Sequence, residues 1–501
     1  LIGRDFFPNV DAGLIKLHVR GPPGTRLEET EHRLARIENT IREIIPEHEI
    51  ATLLDNGGVP ASGINLSLSE GALISSADAQ IMVALKDGHE PTDGYVRKIR
   101  RAVSEKYPDT TFFFLAPDIS TQVLNFGLAA PIDLQVVGAP GNEKATYEVA
   151  QNLAARVKKV PGAADVHLAQ VPFAPQLKID VDRTMAATSG LTQRDVANDL
   201  LLSLASSGQV SPSYWLDRKR GVQYLVAVQT PQYMNDSIRA VETTPVSKGD
   251  GQTQLLSNLG EVSRTQGPVN ITHYNVRRTY DVQLNVDGTD LGTVSDRVRR
   301  IVEEMTPELP RGTSIRVLGQ ADSMETSFKA LSFGLLFAIV LVYLLMVVNF
   351  QSWLDPLVIL MALPGAVAGI LWILFLTHTT ISVPALMGSI MCVGVATANS
   401  ILVVTFANGQ RDVGRDAGEA ALAAGMTRLR PVLMTALAML MGMLPMSLGL
   451  GEGGEQNAPL GRAVIGGLAL ATLTTLFFVP VMYSVLRRRA PKHDRELEEA
   501  L

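Results

Sequence analysis

The sequence predicts an α+β body followed by a bundle of five transmembrane helices, and the distribution of charge indicates this division. Residues 356–410 contain no Asp, Glu, Lys or Arg, and further uncharged stretches cover residues 330–354, 431–451 and 463–486. As a helix that rises about 1.5 Å per residue, each of these stretches is long enough to cross about 30 Å of hydrocarbon, and the stretch 356–410 is long enough for two such helices. Helices of soluble domains normally carry a charged face, so these stretches are predicted to lie in a membrane.

The first 325 residues have the composition of a soluble body. They hold 73 of the 94 charged side chains, and the whole chain has a net charge of −6 without a basic stripe, which argues against a nucleic-acid partner. Cys392 is the single cysteine, so neither an intrachain disulfide nor a cysteine–zinc cluster can form. No nucleophile–base pair, phosphate loop or metal-binding spacing occurs, which favours transport over catalysis.

Strand–helix–strand units follow one another along this body. Each unit joins a strand to a helix with apolar residues at helical spacing, such as Leu34, Ile37 and Ile41, and then to a second strand. Thr25 is expected to cap the first helix. The predicted first and second strands of the four units are 15–21 and 49–54, 79–85 and 111–115, 132–137 and 164–168, and 280–286 and 313–317. Four such units make two split-βαβ, ferredoxin-like subdomains.

A long segment separates the third unit from the fourth. It has strands and a helix of its own, and is interpreted as a domain inserted into the second subdomain. The predicted division is 1–128 for the first subdomain, 129–174 with 277–320 for the second, 175–276 for the inserted domain, 329–489 for the bundle and 490–501 for a tail.

Basic residues are distributed unevenly around the five spans. They cluster in the connection 411–430 and in the tail from Arg487, whereas the loop 451–461 carries two glutamates and no base. By the positive-inside rule the connection and the tail are cytoplasmic, and residues 1–325 lie on the outer side. An outer body followed by five spans requires another span before Leu1, so the chain is predicted to be a fragment or one part of a split protein.

Four strings carry a resemblance to a known family. They are Pro175–Asp182 (PQLKIDVD), Phe350–Trp353 (FQSW), Arg428–Thr435 (RLRPVLMT) and Gln456–Ala458 (QNA). With two ferredoxin-like subdomains, an insertion and five spans in this order, the chain resembles the second half of a resistance–nodulation–division (RND) efflux permease of the hydrophobe/amphiphile type. The resemblance covers essentially the whole sequence.

This resemblance implies a homotrimeric permease in the bacterial inner membrane that exports amphiphilic or hydrophobic compounds in exchange for protons. The two subdomains would form a periplasmic porter, and the insertion would be a docking domain directed towards an outer-membrane channel. The implied partners are the missing amino-terminal half, a periplasmic adaptor protein, the channel and the lipid bilayer. The proton gradient supplies the energy, so no cofactor is expected.

The resemblance also implies a proton relay within the bundle. Arg428 and Thr435 match an Arg and a Thr of the family's relay, and Asn399 matches the Asn that follows its Lys. The Lys position is Ala398, so the relay of this half is expected to be incomplete, although the hydroxyl residues beside Asn399 could hold a chain of waters. Alternatively, Arg428 is an ordinary positive-inside residue and Thr435 bonds back to its own helix.

Three other functions compete with this interpretation. A SecDF-type protein-export accessory shares the membrane architecture, but the large outer body and the FQSW and RLRP strings argue against it. A heavy-metal RND exporter is expected to carry methionine clusters, and the five methionines of the outer body are scattered. A metabolic membrane enzyme has no supporting residues.

The loop Gly57–Ala77 matches the flexible loop that borders the substrate pocket in the family, and it contains no aromatic residue. An aromatic-lined pocket would therefore need rings from elsewhere. Phe112–Phe114 are one source, although a role in the core is the favoured interpretation for this strand.

Overall fold

The computed structural model describes residues 2–59, 72–125, 127–248, 253–451 and 453–487. Within them the strands are β1 Leu14–Arg20, β2 Ile50–Gly57, β3 Asp78–Leu85, β4 Thr111–Leu115, β5 Ile132–Val137, β6 Ala163–Leu168, β7 Ala174–Val181, β8 Ser213–Asp217, β9 Val222–Val226, β10 Pro245–Ser247, β11 Thr253–Leu255, β12 Gly260–Gly267, β13 Thr272–Tyr274, β14 Arg277–Val286 and β15 Ser314–Gly319.

The α-helices of the described residues are α1 Leu27–Ile44, α2 Thr92–Lys106, α3 Ile119–Leu124, α4 Glu143–Val157, α5 Arg183–Thr188, α6 Gln193–Leu204, α7 Ser207–Val210, α8 Ile238–Glu242, α9 Leu291–Met305, α10 Gln320–Phe350, α11 Leu354–Leu360, α12 Leu363–Leu376, α13 Val383–Asp412, α14 Ala417–Ser447, α15 Ala458–Leu473 and α16 Val479–Leu486. The chain divides into two compact units, one formed by Val171–Asn270 and the other by the rest.

The first subdomain is an antiparallel sheet of order β2-β3-β1-β4 with α1 and α2 on one face. Alternate residues of β1, namely Ile15, Leu17 and Val19, face these helices in the core, as the period of a half-buried strand requires. The predicted Thr25 cap is wrong. The residue that precedes α1 is Arg26, and within the described part of the chain no side chain caps this helix end. The Thr25 hydroxyl instead donates to the carbonyl oxygen of Pro22 at 2.6 Å within the preceding turn.

The second subdomain repeats this order, since β6, β14, β5 and β15 are successive neighbours and β13 also pairs with β14. Its helices α4 and α9 pack on one face of the sheet around Leu134, Val282 and Val298. Both sheets therefore have the strand order of a split-βαβ fold, and the prediction of two ferredoxin-like subdomains is confirmed.

The unit Val171–Asn270 has its own small core. Three two-stranded sheets pair β7 with β12, β8 with β9 and β10 with β11. The core residues come mainly from the helices and from the segments that follow them: Ala186, Leu191, Val196, Leu200, Val241, Val246, Leu256 and Leu259. This unit overlaps the predicted insertion, 175–276.

The described residues contain five helices or helix pairs long and apolar enough to cross a membrane: Gln320–Phe350, Leu354–Leu376, Val383–Asp412, Ala417–Ser447 and Ala458–Leu486. The predicted connection 411–430 is mostly helical, which is a correction. Only residues 413–416 separate α13 from α14, because the alanine-rich sequence before Arg428 favours a helix. The uncharged stretches predicted only the apolar centre of each membrane-spanning helix, and the helices continue beyond it into charged residues. The tail 490–501 lies outside the described residues.

Close packing in the bundle depends on glycine. A Cβ placed on Gly369 of α12 would lie 2.2 Å from the carbonyl oxygen of Gly466 on α15, and a Cβ on Gly466 would lie 2.5 Å from the carbonyl oxygen of Gly369. The two backbones are therefore in direct contact, as at small-residue crossings in membranes. In contrast, α10 and α14 are mostly exposed in this chain.

Candidate transport sites

The three relay candidates lie on two adjacent helices, and no hydrogen bond joins them. Asn399 on α13 is buried, and its amide has no hydrogen-bond partner among the described residues. Thr435 on α14 bonds back to the carbonyl oxygens of Pro431 and Val432 at 3.2 and 3.0 Å. The guanidinium of Arg428 lies 5.2 Å from the ring centre of Phe406, so α13 and α14 are in contact near this charge.

The hydroxyl groups beside Asn399 are occupied within the bundle. Thr397 donates to the carbonyl oxygen of Val393 at 2.8 Å. Ser400 pairs with Thr475 at 3.0 Å, and both side chains are fully buried. Thr475 belongs to a π-helical turn, Thr474–Phe478, a distortion often found at functional sites. The exposed neighbour Ala398 faces away from the core.

A charged cluster at one end of the bundle was missed by the sequence analysis. Asp355 is 1% exposed, and Arg487 donates from Nε to its Oδ1 at 2.8 Å and from Nη2 to its Oδ2. Asn408 donates to the same carboxylate at 3.4 Å and accepts from the Tyr483 hydroxyl. Asp355 is the only acidic residue between 330 and 411. A single carboxylate between two apolar stretches is the sequence feature from which this cluster could have been predicted.

Arg462 was also missed, because it lies one residue before the uncharged stretch that marked the last span. Its Nε donates to the carbonyl oxygen of Ser447 at 3.0 Å and its Nη1 to the Thr379 hydroxyl at 2.6 Å. It therefore caps the carboxyl end of α14 and ties that end to the turn after α12.

A polar cluster lies where the two subdomains meet. His18 and Arg20 on β1 both bond to Oδ1 of Asp78 on β3, at 3.0 and 2.6 Å. All three side chains are buried. Arg20 also donates to the carbonyl oxygens of Leu168 and Ala169 in the second subdomain, at 3.2 Å each. Arg20 thereby joins the two subdomains.

Phe113 of β4 lies between two imidazoles in this cluster. Its ring stacks on His18 at 4.2 Å and on His167 of β6 at 3.7 Å between ring centres. The Nδ1 of His167 bonds to the carbonyl oxygen of Asp165 at 2.7 Å, while Nδ1 of His18 is buried without a partner in the described part of the chain. The interpretation of Phe113 as a core residue is confirmed, since it is 2% exposed.

The ionisation of this cluster follows from its burial. Burial lowers the pKa of His167 to about 4, with further lowering by the charges of Arg20 and His18. Burial also lowers the pKa of His18. Burial would raise the pKa of Asp78, but the His18 hydrogen bond and the Arg20 charge outweigh it and lower this pKa to about 2. Near pH 7 the cluster therefore holds neutral imidazoles around a carboxylate–guanidinium pair.

A second set of charges joins the subdomains beside this cluster. Arg100 of α2 bonds to both oxygens of Asp165 at 2.7 and 3.0 Å and to Asp287 at 2.8 Å. Arg100 also lines a cavity of about 270 Å³ between the subdomains, whose other charged lining residues include Asp93 and Asp118. The contact between subdomains is thus charged and hydrogen-bonded.

Two carboxylates lie on the polar face of the second sheet. Gln283 donates to Asp133 at 2.9 Å and Gln170 to Asp281 at 2.6 Å, and the Oδ1 atom of each carboxylate is buried without a partner among the described residues. Burial, followed by the charge of Asp281, raises the pKa of Asp133 to about 7. The pKa of Asp281 is also raised, chiefly by burial.

The AcrB/AcrD/AcrF family profile matches residues 1–487. The chain belongs to this family. The cation efflux system protein CzcA of Alcaligenes sp. (strain CT14) is 26% identical over 497 residues, which are 97% of this chain and 45% of that protein. The multidrug resistance protein MdtC of Erwinia tasmaniensis is 33% identical over 337 residues, which are 66% of this chain and 32% of that protein.

A solved structure has the same fold. The X-ray structure of a heavy metal efflux pump, crystal form II, superposes with a TM-score of 0.80 at 26% identity, covering 98% of this chain and 48% of that one. The chain spans about half the length of the relatives it matches, so it corresponds to half of an RND permease. The prediction of the family and the fold class is confirmed.

Proposed function

We propose that this chain is half of an RND permease that exports divalent metal cations, with protons as the energy source. The observation that carries the proposal is the extent of similarity. A relative named for cation efflux aligns over 97% of the chain, whereas the multidrug relative aligns over 66%. This favours the heavy-metal alternative over export of amphiphilic compounds.

The polar cluster between the subdomains contains side chains of the types that bind divalent cations. Imidazole nitrogens and carboxylate oxygens are ligands for zinc, cobalt and nickel, whereas thioethers suit copper(I). His18, Asp78 and His167 supply such ligands without methionine. Here they bond to each other or to neighbouring groups, and the described residues hold no group of three such side chains placed for coordination. We propose that separation of the subdomains frees them for the cation.

The test is a tolerance assay with the whole gene that contains this chain, expressed in a metal-sensitive bacterial strain. We expect higher inhibitory concentrations of Zn²⁺, Co²⁺ or Ni²⁺ and no change for ethidium. The double variant His18→Gln/His167→Gln should lose the protection, and His32→Gln, on the exposed face of α1, should keep it. Protection against ethidium alone would overturn the cation proposal.

The second candidate is export of amphiphilic compounds, which the higher identity to MdtC, 33% against 26%, favours. The loop Gly57–Ala77, which is expected to border a drug pocket, provides no structural argument for this candidate, since its residues 60–71 lie outside the described residues. The same assay separates the two candidates, because ethidium is an amphiphilic cation and inorganic ions are not.

We further propose the assembly that the family resemblance implies: the other half of the permease, a homotrimer in the inner membrane, a periplasmic adaptor and an outer-membrane channel. The exposed apolar faces of α10 and α14 would meet lipid or the other half.

The proposed orientation places residues 1–325 in the periplasm. Of the basic residues counted for it, Arg487 is ion-paired and Arg411 is buried, so the exposed residues Arg415 and Arg430 carry more of the signal. Single cysteines at Ser257 and Val413, in a Cys392→Ala background, are expected to react from the periplasm and the cytoplasm respectively. Reversed labelling would reverse the topology.

A further inference from the structure

The segment Gly3–Phe6, here called the junction segment, pairs with the turn between α12 and α13. Ile381 donates its amide to the Gly3 carbonyl at 2.8 Å, Asp5 donates to the Ile381 carbonyl at 3.0 Å, and Val383 donates to the Phe6 carbonyl at 3.1 Å. Arg4 and Ile381 form a parallel bridge. Two main-chain hydrogen bonds therefore join this segment to the turn, and a third joins it to the first residue of α13.

The opposite edge of the junction segment bonds to the amino end of α9. Gly292 donates to the Arg4 carbonyl at 2.7 Å, and the Arg4 amide donates to Oδ2 of Asp290 at 3.0 Å. In an extended segment successive peptide groups point to opposite sides. Residue 4 consequently bonds α9 while residues 3 and 5 bond the turn before α13. The chain bends at Phe6, whose carbonyl accepts from Val383, the first residue of α13.

Asp5 contacts both partners. Its Oδ1 accepts the Leu291 amide at 2.8 Å, one of the donors that the first turn of α9 leaves unpaired. Its main-chain amide donates to Ile381 in the turn before α13, and Asp5 and Thr380 line one cavity beside that turn. One residue thus contacts a porter helix and a membrane loop.

The junction segment and the amino end of α9 approach each other closely at two glycines. A Cβ on Gly292 would lie 2.8 Å from the Cβ of Arg4, and a Cβ on Gly3 would lie 2.7 Å from the Cβ of Asp290. Phe6 is buried in the core of the second subdomain, and Val383 packs against that core. Close-packed contacts of this kind transmit displacement rather than absorb it.

We propose that the junction segment couples α13, which carries Asn399, to α9 of the porter, and that Asp5 is the positioning residue that fastens it to both. The inference rests on the proposed export function but not on the substrate. A displacement of the outer end of α13 would move the amino end of α9, and with it the second subdomain. The covalent connection through β15 and α10 is a separate route.

The test uses the whole protein with Asp5→Ala, with Asp5→Asn, and with Asp87→Ala at an exposed turn as the matched control. In deuterium exchange, Asp5→Ala should exchange about fivefold faster in peptide 287–293, which loses the acceptor of the Leu291 amide, and faster exchange should extend to peptide 377–383 through the main-chain bonds of the junction segment. Asp5→Asn keeps an acceptor oxygen and should show a smaller change in both. The control should match the wild type.

Transport is measured as proton-driven Zn²⁺ uptake into everted membrane vesicles. Asp5→Ala should lower the maximal rate about five- to tenfold at unchanged half-saturating Zn²⁺ concentration, and Asp5→Asn, which keeps an acceptor for the Leu291 amide, should lose less. A wild-type rate in Asp5→Ala, or faster exchange in one peptide only, overturns the inference. If the wild type moves no Zn²⁺, the proposed function fails, and the exchange pattern together with ethidium transport still decides on the junction segment.

Discussion

Asp355 and Arg487 form an ion pair that joins the start of α11 to the residue after α16. The carboxylate is almost fully buried, whereas the guanidinium side chain is 29% exposed. The pair therefore closes one end of the bundle around Asn408 and Tyr483, and its two partners differ in how much solvent each could regain.

This difference predicts unequal effects of removing either partner. Arg487→Ala leaves a buried carboxylate without a counter-charge and should cost about 3–5 kcal/mol of unfolding free energy. Asp355→Ala leaves a cation that can reach solvent and should cost less. Thermal unfolding of the purified protein in detergent measures both. Equal losses would contradict the assignment of Asp355 as the buried member.

His167 predicts a pH dependence of stability. Its folded pKa of about 4 lies below the ordinary value of about 6.5, so on acidification through this window the unfolded chain binds a proton that the folded state does not. The stability of the wild type should fall from pH 6.5 to pH 4. His167→Gln should reduce that fall by up to about 3 kcal/mol. His32→Gln, at an exposed position, should leave the profile unchanged.

Asp133 predicts a dependence of opposite sign. Its folded pKa of about 7 lies above the ordinary value of about 3.9, so the folded state holds a proton that the unfolded chain has lost. Stability from this group is full below pH 3.9 and is lost as pH rises through 7. Asp133→Asn, which mimics the protonated form, should stabilise the protein at pH 8 and leave it unchanged at pH 4. Unfolding midpoints at both pH values are the measurement.

The contact between Gly369 and Gly466 predicts sensitivity to a single methyl group. Gly369→Ala should destabilise the bundle by about 1–3 kcal/mol, because the methyl would meet a main-chain oxygen rather than a movable side chain. Gly334→Ala on α10, where a Cβ meets nothing within 4 Å, is the matched control. Equal unfolding temperatures for the two variants would contradict a backbone contact between α12 and α15.

The relay candidates predict a loss of transport without loss of fold. Arg428→Ala and Thr435→Ala in the whole permease should lower proton-driven export and leave folding and trimer assembly intact, whereas Thr435→Ser should largely spare it. Vesicle transport and native electrophoresis provide the two readouts. Wild-type export by both alanine variants would reduce Arg428 to a topological charge.

The sequence by itself determined the fold class and the number of spans, because both depend on local patterns. Uncharged stretches mark helices that lie in hydrocarbon, and alternating or helical spacing marks the strands and helices of the two subdomains. It misplaced the connection 411–430, since a helix that leaves the apolar layer can continue through charged residues such as Arg428.

Only the tertiary structure decided which distant groups meet. His18, Asp78 and His167 are separated by long stretches of chain, and nothing in their spacing indicates that both imidazoles stack on Phe113 or that His18 bonds to Asp78. Asp5 and Ile381 likewise meet because the chain returns from the bundle to its first residues. Burial, and therefore the charge state of an imidazole or carboxylate, is set by every element packed around it, so a pattern read along one chain cannot supply it.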